Sequence, residues 1–191
     1  TALNNLITTV PVTNIATGSN IIIDTAAPTI TSITSSTANG SYKAGDVITI
    51  RINFSEVITL TGTMGINLDS GGICVISGFT GTTATGTYTV LAGHSSADLT
   101  ATSVVVNITA RDVALNNLVT TLPIINIATG SNIIIDTTAP TITSITSSTA
   151  NGSYKAGDNI SVRINFSEPI TLVGTMGINL DAGGVCVISA F

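Results

Sequence analysis

Two stretches of the chain alternate regularly between apolar and polar residues. Residues 47–54 place four apolar side chains on one face, namely Ile48, Ile50, Ile52 and Phe54. Residues 103–111 follow the same rule, with Val104, Val106, Ile108 and Ala110 on the apolar face. Because successive side chains of a strand point to opposite faces, this period of two predicts strands that are buried on one side.

Shorter runs rich in β-branched residues predict further strands at residues 29–35, 65–68, 73–77, 86–91 and 124–135. In the first of these, Ile30 and Ile33 stand three positions apart, which predicts a bulge or a change of sheet. Turn signals separate the runs: "TANGSYKAGD", "LDSGG", "LAGHSSAD" and "DVALNN". Many short strands with frequent turns predict an all-β fold, an antiparallel sandwich.

The sequence repeats itself. "IDTAAPTITSITSSTANGSYKAGD" begins at Ile23 and returns as "IDTTAPTITSITSSTANGSYKAGD" at Ile135, 112 positions later. This spacing predicts a tandem array in which residues 24–135 are one complete repeat. Residues 1–23 would then be the C-terminal strand or strands of a preceding repeat, and residues 136–191 the N-terminal half of a following one. We expect either a window of a longer polypeptide or a subunit whose incomplete ends are completed by neighbouring chains.

Charge is scarce, and this excludes some partners. Charged residues make up 8% of the chain, and the formal net charge is −5. Nucleic acid is not expected, because phosphate binding needs clustered basic residues and the five here are scattered: Lys43, Arg51, Arg111, Lys155 and Arg163. No apolar run approaches the roughly 20 residues that span a bilayer.

The two cysteines, Cys74 and Cys186, occupy equivalent positions in different repeats. A disulfide framework within one domain is therefore not expected. Two interpretations stay open, a small buried thiol in a strand and a covalent link between repeats or chains.

Five motifs follow one another along the chain: "DTTAPT", "NGSYKAGD", "FSE", "YTVLAGHSSADL" and "ARDVALNNL". As an ordered set they resemble the bacterial immunoglobulin-like repeats of very large surface and adhesin proteins, whose usual forms are close to "DTTAP", "YKAGD", "FSE", "AGQ…ADL" and "DAAGN". The chain departs from that pattern at Leu115, where the family more often has glycine. The resemblance covers the whole chain and implies an immunoglobulin-like sandwich, a location at the cell surface, and calcium ions that stiffen the junctions between repeats.

A carboxylate recurs at the end of an apolar strand, in "FSEVIT" at Phe54 and in "FSEPIT" at Phe166. In an immunoglobulin-like sandwich, the turn after the second strand lies beside the incoming linker, and the loop before the last strand reaches the same pole. Crowded carboxylates need a compensating cation, and calcium accepts six to eight oxygen ligands. The expected ligands are Asp24, Glu56, Asp112 and Asn116, with Asn117 close by, and Asp136 and Glu168 in the following repeat. The alternative is that each carboxylate is solvated or accepts N–H groups of its own turn, the role expected for Asp46, Asp69 and Asp98.

No catalytic chemistry is predicted. The single histidine, His94, lies in a turn rich in Gly and Ser, where we expect it to be solvated, and nothing in the sequence orients it towards Cys74 or a serine. No phosphate-binding loop or zinc spacing occurs. An isopeptide bond from Lys43 or Lys155 would require a buried lysine, whereas turn lysines are normally exposed.

Three functions remain in competition. The first is a rigid, calcium-stiffened extracellular spacer that contacts neighbouring repeats and leaves binding of a cell-surface or matrix ligand to other parts of the protein. The second is a self-assembling fibre or sheath subunit, because strand edges with few lysines tend to pair with other chains. The third is a carbohydrate-binding module, for which Tyr42, Tyr88 and Tyr154, without any tryptophan, provide few aromatic rings.

Overall fold

The computed structural model describes residues 7–9 and 12–191. The chain divides into two compact units, Thr1–Thr137 and Thr138–Phe191. Strands dominate both units, and the helices among the described residues are single turns, α1 (Ile15–Gly18) and α2 (Ile127–Gly130). The prediction of an all-β, mainly antiparallel fold is confirmed.

The main sheet of the first unit is organised around one long central strand. Its members are β1 (Ile30–Ser35), β3 (Val47–Leu68), β4 (Ile73–Thr89) and β6 (Ala101–Arg111). β3 pairs with β4 over most of its length, with β1 along its first half and with β6 along its second half, always antiparallel. On the side of β3 opposite β4, the neighbouring strand is therefore β1 along the first half and β6 along the second half.

A smaller sheet belongs to the same unit. It contains β2 (Gly40–Tyr42), β5 (Ser95–Ser96) and β7 (Ile133–Asp136), with β7 in the centre. β2 pairs with β7 in parallel and β5 pairs with it antiparallel. Ile133, Ile135 and Leu99 are fully buried and join the core beneath the main sheet.

The second unit repeats strand pairings of the first unit at the positions that correspond in the 112-residue repeat. β8 (Ile142–Ser147) pairs with β9 (Val162–Phe166), and β10 (Thr175–Asn179) pairs with β11 (Val185–Ser189). The apolar side chains Val162, Ile164 and Phe166 of β9 are half-buried, and Ile160, which precedes the strand, is 46% exposed.

Two details of the strand pattern are confirmed. The predicted inner face of residues 47–54 is buried, and these residues belong to one apolar core: Ile48, Ile50, Ile52 and Phe54. The predicted bulge in β1 appears as a register shift between Ile30 and Ser32, which lets Ile30 and Ile33 both face the core. The same shift recurs between Ile142 and Ser144.

Several strand boundaries were predicted wrongly. Residues 47–54 and 65–68 belong to a single strand, β3, so Glu56 lies within a strand and not in a turn. Residues 73–77 and 86–91 likewise belong mostly to one strand, β4. In both cases, irregular register in the middle of the pairing absorbs the break in alternation without ending the strand.

Other corrections concern single segments. Ile108 was assigned to the buried face but is 70% exposed, because its φ of 97° turns the side chain outwards. The predicted strand at residues 124–135 is mostly a loop that contains α2, which Asn126 caps through its side chain. The predicted turn "TANGSYKAGD" contains β2. Residues 12–23 contain α1, and residues 1–6, 10 and 11 lie outside the described residues, so the C-terminal strand or strands of a preceding repeat at residues 1–23 stay a prediction.

Candidate metal centre

The three residues of the repeated "FSE" motif have different structural roles. Phe54 is buried and stacks against Phe79, with ring centroids 5.8 Å apart. Ser55 binds the start of β1: its N–H donates to the carbonyl oxygen of Thr29, and its Oγ accepts from the N–H of Thr29, both at 2.9 Å. Glu56 lies close to Asp24, in the segment through which the chain enters the unit.

The alternation pattern gives Ser55 no special role, although the recurrence of "FSE" is a signal for one. In the second unit, Ser167 makes the same two hydrogen bonds to Thr141, again at 2.9 Å. The serine fixes the incoming strand to the strand that carries the glutamate. It therefore positions Glu56 relative to the entering segment.

The structure brings together three of the predicted ligands. Asp24 lies before β1, Glu56 lies in β3 and Asp112 follows β6, yet one carboxylate oxygen from each lies within 4.8 Å of the others. Asp24 is exposed, Glu56 is half-buried and Asp112 is 5% exposed. Carboxylates from three distant parts of the chain thus form one cluster, which we call the pole cluster.

Asp112 is held by its own loop. The backbone N–H of Asn116 donates to Oδ1 of Asp112 at 2.8 Å, and Nδ2 of Asn116 donates to Oδ2 at 2.8 Å. The turn requires Leu115 to adopt a φ of 73°, the left-handed region that favours glycine. This is the position at which the chain departs from the pattern of the repeats that it resembles, and the loop forms with leucine there.

Asn116 also ties this loop to the entering segment. Its Nδ2 lies 3.2 Å from the carbonyl oxygen of Asp24 and 3.1 Å from that of Ala26. A little further along, the N–H of Val119 donates to the carbonyl oxygen of Pro28 at 2.9 Å. The side-chain N–H₂ of Asn116 thus fixes the segment that carries Asp24. Calcium binding by Asn116, which would use its Oδ1, stays a prediction.

The electrostatics of the pole cluster are unfavourable for three bare carboxylates. Loss of hydration raises the pKa of Glu56, and the negative charges of Asp24 and Asp112 raise it further. The five basic residues do not include a cation that forms a salt bridge with these carboxylates; the ion pair formed within the described residues joins Lys43 to Asp46. A bound cation would remove the repulsion.

The donor set of the pole cluster fits calcium. Calcium binds oxygen at 2.3–2.6 Å, so two oxygens on one ion lie at most about 5 Å apart, and the observed spacing falls within that range. Hydrogen bonds occupy only part of the capacity of each carboxylate. Asp24 Oδ1 accepts from the N–H of Ala26 at 2.9 Å, which is the turn role considered as the alternative. Both roles are compatible, because a carboxylate offers about four lone-pair sites.

The remaining predicted ligands are Asn117, Asp136 and Glu168. Oδ1 of Asn117 accepts from Nε of Arg111 at 2.8 Å. Asp136 ends β7 in the first unit, whereas Glu168 belongs to the second unit, where its Oε1 is buried without a hydrogen-bond partner among the described residues. Calcium binding by Asp136 and Glu168 stays a prediction.

Of the carboxylates expected to accept N–H groups of their own turns, Asp46 does so, whereas Asp69 binds a segment that is distant in sequence. Asp46 Oδ2 accepts from the N–H of Lys43 at 2.8 Å, and this bond lowers the pKa of Asp46. Asp69 accepts from the N–H of Thr100 at 3.0 Å and from Oγ of Ser96 at 2.8 Å. The side chain of Lys43 is 80% exposed, unlike the buried lysine that an isopeptide bond requires.

His94 is not a solvated turn residue. Its Nδ1 lies 2.7 Å from the hydroxyl of Tyr88, and the two rings stack at 5.6 Å. Ser70 Oγ donates to the same hydroxyl at 3.1 Å. Tyr88 is 1% exposed, so it cannot offer a ring to a sugar. Histidine and tyrosine therefore form a packed polar contact at the edge of the core.

Comparisons with known proteins return nothing for this chain: no family model, no curated protein and no solved structure matches it. Within the described part of the chain, neither short helix has the length or apolar character needed to cross a bilayer.

Proposed function

We propose that this chain is a non-catalytic structural segment of a bacterial cell-surface protein, built from immunoglobulin-like repeats that calcium stiffens at their junctions. The observation that carries the proposal is the pole cluster, in which Asp24 of the entering segment meets Glu56 and Asp112 of the folded unit. The segment acts outside the cell, its immediate partners are neighbouring repeats, and adhesion to a cell-surface or matrix ligand belongs to other parts of the protein.

The stiffening has a simple physical basis. Without an ion, the entering segment is attached to the loop after β6 by the hydrogen bonds of Asn116 and Val119. An ion shared by Asp24, Glu56 and Asp112 would add a third attachment, to β3. Bending the entering segment away would then break a metal–ligand bond. Partly exposed sites of this kind in extracellular modules bind calcium at about 0.1–1 mM.

The test is thermal unfolding of the chain with calcium and with a chelator. Calcium should raise the Tm, because a ligand that binds only the folded state stabilises it by mass action. Small-angle scattering of the same samples should show a longer, less flexible particle with calcium. Magnesium serves as the ion control, since it demands stricter octahedral geometry and dehydrates reluctantly.

Two charge-neutralising variants separate the site from a general charge effect. Glu56→Gln removes one ligand charge from the pole cluster and should weaken calcium binding by about tenfold or more, roughly the value of 1.4 kcal/mol. Asp98→Asn makes the same charge change at an exposed turn residue outside the cluster and should respond to calcium as the unaltered chain does. A chain whose Tm and shape ignore calcium, or equal responses of the two variants, would contradict the proposal.

A further inference from the structure

The strand β4 has one free edge along its whole length. It is 17 residues long and, among the described residues, pairs with β3 alone. Alternate backbone N–H and C=O groups on its other side are therefore directed away from the sheet. An edge of this kind is a template for pairing with another strand.

The other edges of the unit are shorter than that of β4, partly covered or interrupted. β1 is covered by bridges from Thr29 to Val119 and from Ser32 to Ile125. β6 is interrupted by Ile108, whose positive φ breaks the regular extended backbone, and its end is paired through Arg111 and Asn117. β2 and β5 are only three and two residues long. Shortness, irregular backbone and covering segments are known means of protecting an edge. Among the described residues β4 is neither short nor covered, and the positive φ of Gly81 leaves strand residues on both sides of it.

Charge does not protect β4 either. Residues 70–97 contain no Asp, Glu, Lys or Arg, and no proline. Apolar side chains on the outer face of the strand are exposed, with Ile73 at 54% and Val75 at 55%. The nearest charged residue across the ladder is Arg51, which lies on β3 opposite Thr85.

We propose that the free edge of β4 pairs antiparallel with the β4 edge of a second copy of this chain. An antiparallel pair of identical strands is self-complementary about a two-fold axis, so one edge supplies both halves of the interface. The uncharged edge brings no like charges together. The two Arg51 side chains would be three or more strand spacings apart, about 14 Å, which exceeds the screening length at physiological salt.

The 112-residue repeat presents the same edge again. β11 is the counterpart of the first part of β4, and among the described residues it pairs with β10 alone. Its outward side chains Val185 and Val187 are 59% and 62% exposed, much like Ile73 and Val75. An array of such repeats would carry a series of identical edges, and linked weak contacts reinforce one another through effective concentration.

The test is sedimentation velocity of the full 191-residue chain from low micromolar to the highest soluble concentration. We expect reversible self-association, and Val75→Lys should raise its Kd by about tenfold or more, because each lysine faces a like charge or is forced from the strand. Val105→Lys is the matched control. Val75 and Val105 are both 55% exposed and both lie opposite Gly65, one on each side of β3.

Further arms keep the outcome decisive. Thr87→Lys places the charge on the other half of β4, at an exposed position opposite Thr49, and should weaken association without touching the residues around Val75. Amide exchange should slow in β4 but not in β6 as concentration rises. Chains that stay monomeric, or association that Val105→Lys weakens as much as Val75→Lys does, would overturn the proposal. Association is expected with calcium and with a chelator, so this result does not depend on the pole cluster.

Discussion

Asn116 donates two hydrogen bonds of 2.8 Å to the carboxylate of Asp112, one from its backbone N–H and one from its side-chain amide. The same amide group reaches the carbonyl oxygens of Asp24 and Ala26. One short loop therefore orients the buried carboxylate of the pole cluster and anchors the segment that enters the unit. The geometry of this loop depends on its least favourable residue, Leu115.

Replacing Leu115 with asparagine should stabilise the protein. Leu115 has a φ of 73° and is 68% exposed, so its side chain contributes little packing while its backbone is strained. Asparagine tolerates this conformation better than leucine does. We expect the free energy of unfolding to rise by about 0.5–1 kcal/mol, a part of the roughly 1–2 kcal/mol that a left-handed backbone costs an ordinary residue, measured by chemical denaturation. Val113→Asn, at a residue of the same loop that is 90% exposed and has no positive φ, should give no gain; a gain of equal size there would contradict the strain argument.

The calcium-free protein should lose stability as pH rises through the mildly acidic range. The pKa of Glu56 is higher in the folded state than its ordinary value. Between the unfolded and folded values, the folded state binds more protons, so stability falls as pH rises through this window and then levels off. Glu56→Gln should remove this part of the pH dependence and raise calcium-free stability at neutral pH. Denaturation curves of both chains across pH, in chelator, measure the difference; parallel pH profiles would argue against mutual repulsion in the cluster.

The expected sandwich topology predicts that the three carboxylates come close together. It does not predict that Glu56 lies within a strand. The alternation of residues 47–54 breaks at Glu56, a polar residue at a position of the apolar face, and a break in alternation ordinarily ends a strand. Here the ladder between β3 and β4 shifts register between Asn53 and Ile58 and then continues. Local pattern cannot distinguish a strand that ends from one that bends, because the neighbouring strand decides which occurs.

Ile108 is a second residue whose environment the local pattern predicts wrongly. Its position in the alternation predicts burial, but it faces Gly62 across the ladder, and the two residues have φ values of 97° and 84°. An added Cβ at Gly62 would overlap the backbone of Asn107, so the two strands approach closely there. The exposure of Ile108 depends on this non-local contact. The bulge at Ile30, by contrast, can be predicted from the sequence, because Ile30 and Ile33, which it brings to the core, lie within one short strand.

Gly72→Ala should destabilise the first unit strongly. Gly72 is buried, and a methyl group there would overlap the ring of Tyr88. That ring cannot easily move, because His94 stacks on it and Ser70 bonds its hydroxyl. Overpacking of this kind costs about 1–3 kcal/mol, which calorimetry should show as a lower Tm. Gly184, which lies 112 positions later, has open space where its Cβ would be; Gly184→Ala should therefore change stability by about 0.5 kcal/mol or less. Equal effects at the two positions would show that Tyr88 is not the cause.

The two cysteines should differ sharply in reactivity although they are equivalent in sequence. Cys74 is fully buried, and burial raises its pKa to about 11, whereas Cys186 is only half-buried; both are free thiols. Because the thiolate is the reactive form, native chains should react with a thiol reagent at Cys186 first, and Cys74 should react only as the first unit unfolds. Cys186→Ser should leave a native chain that is nearly unreactive until denaturant is added. Prompt labelling of Cys74 in that variant would mean that the core around it opens far more readily than its packing implies.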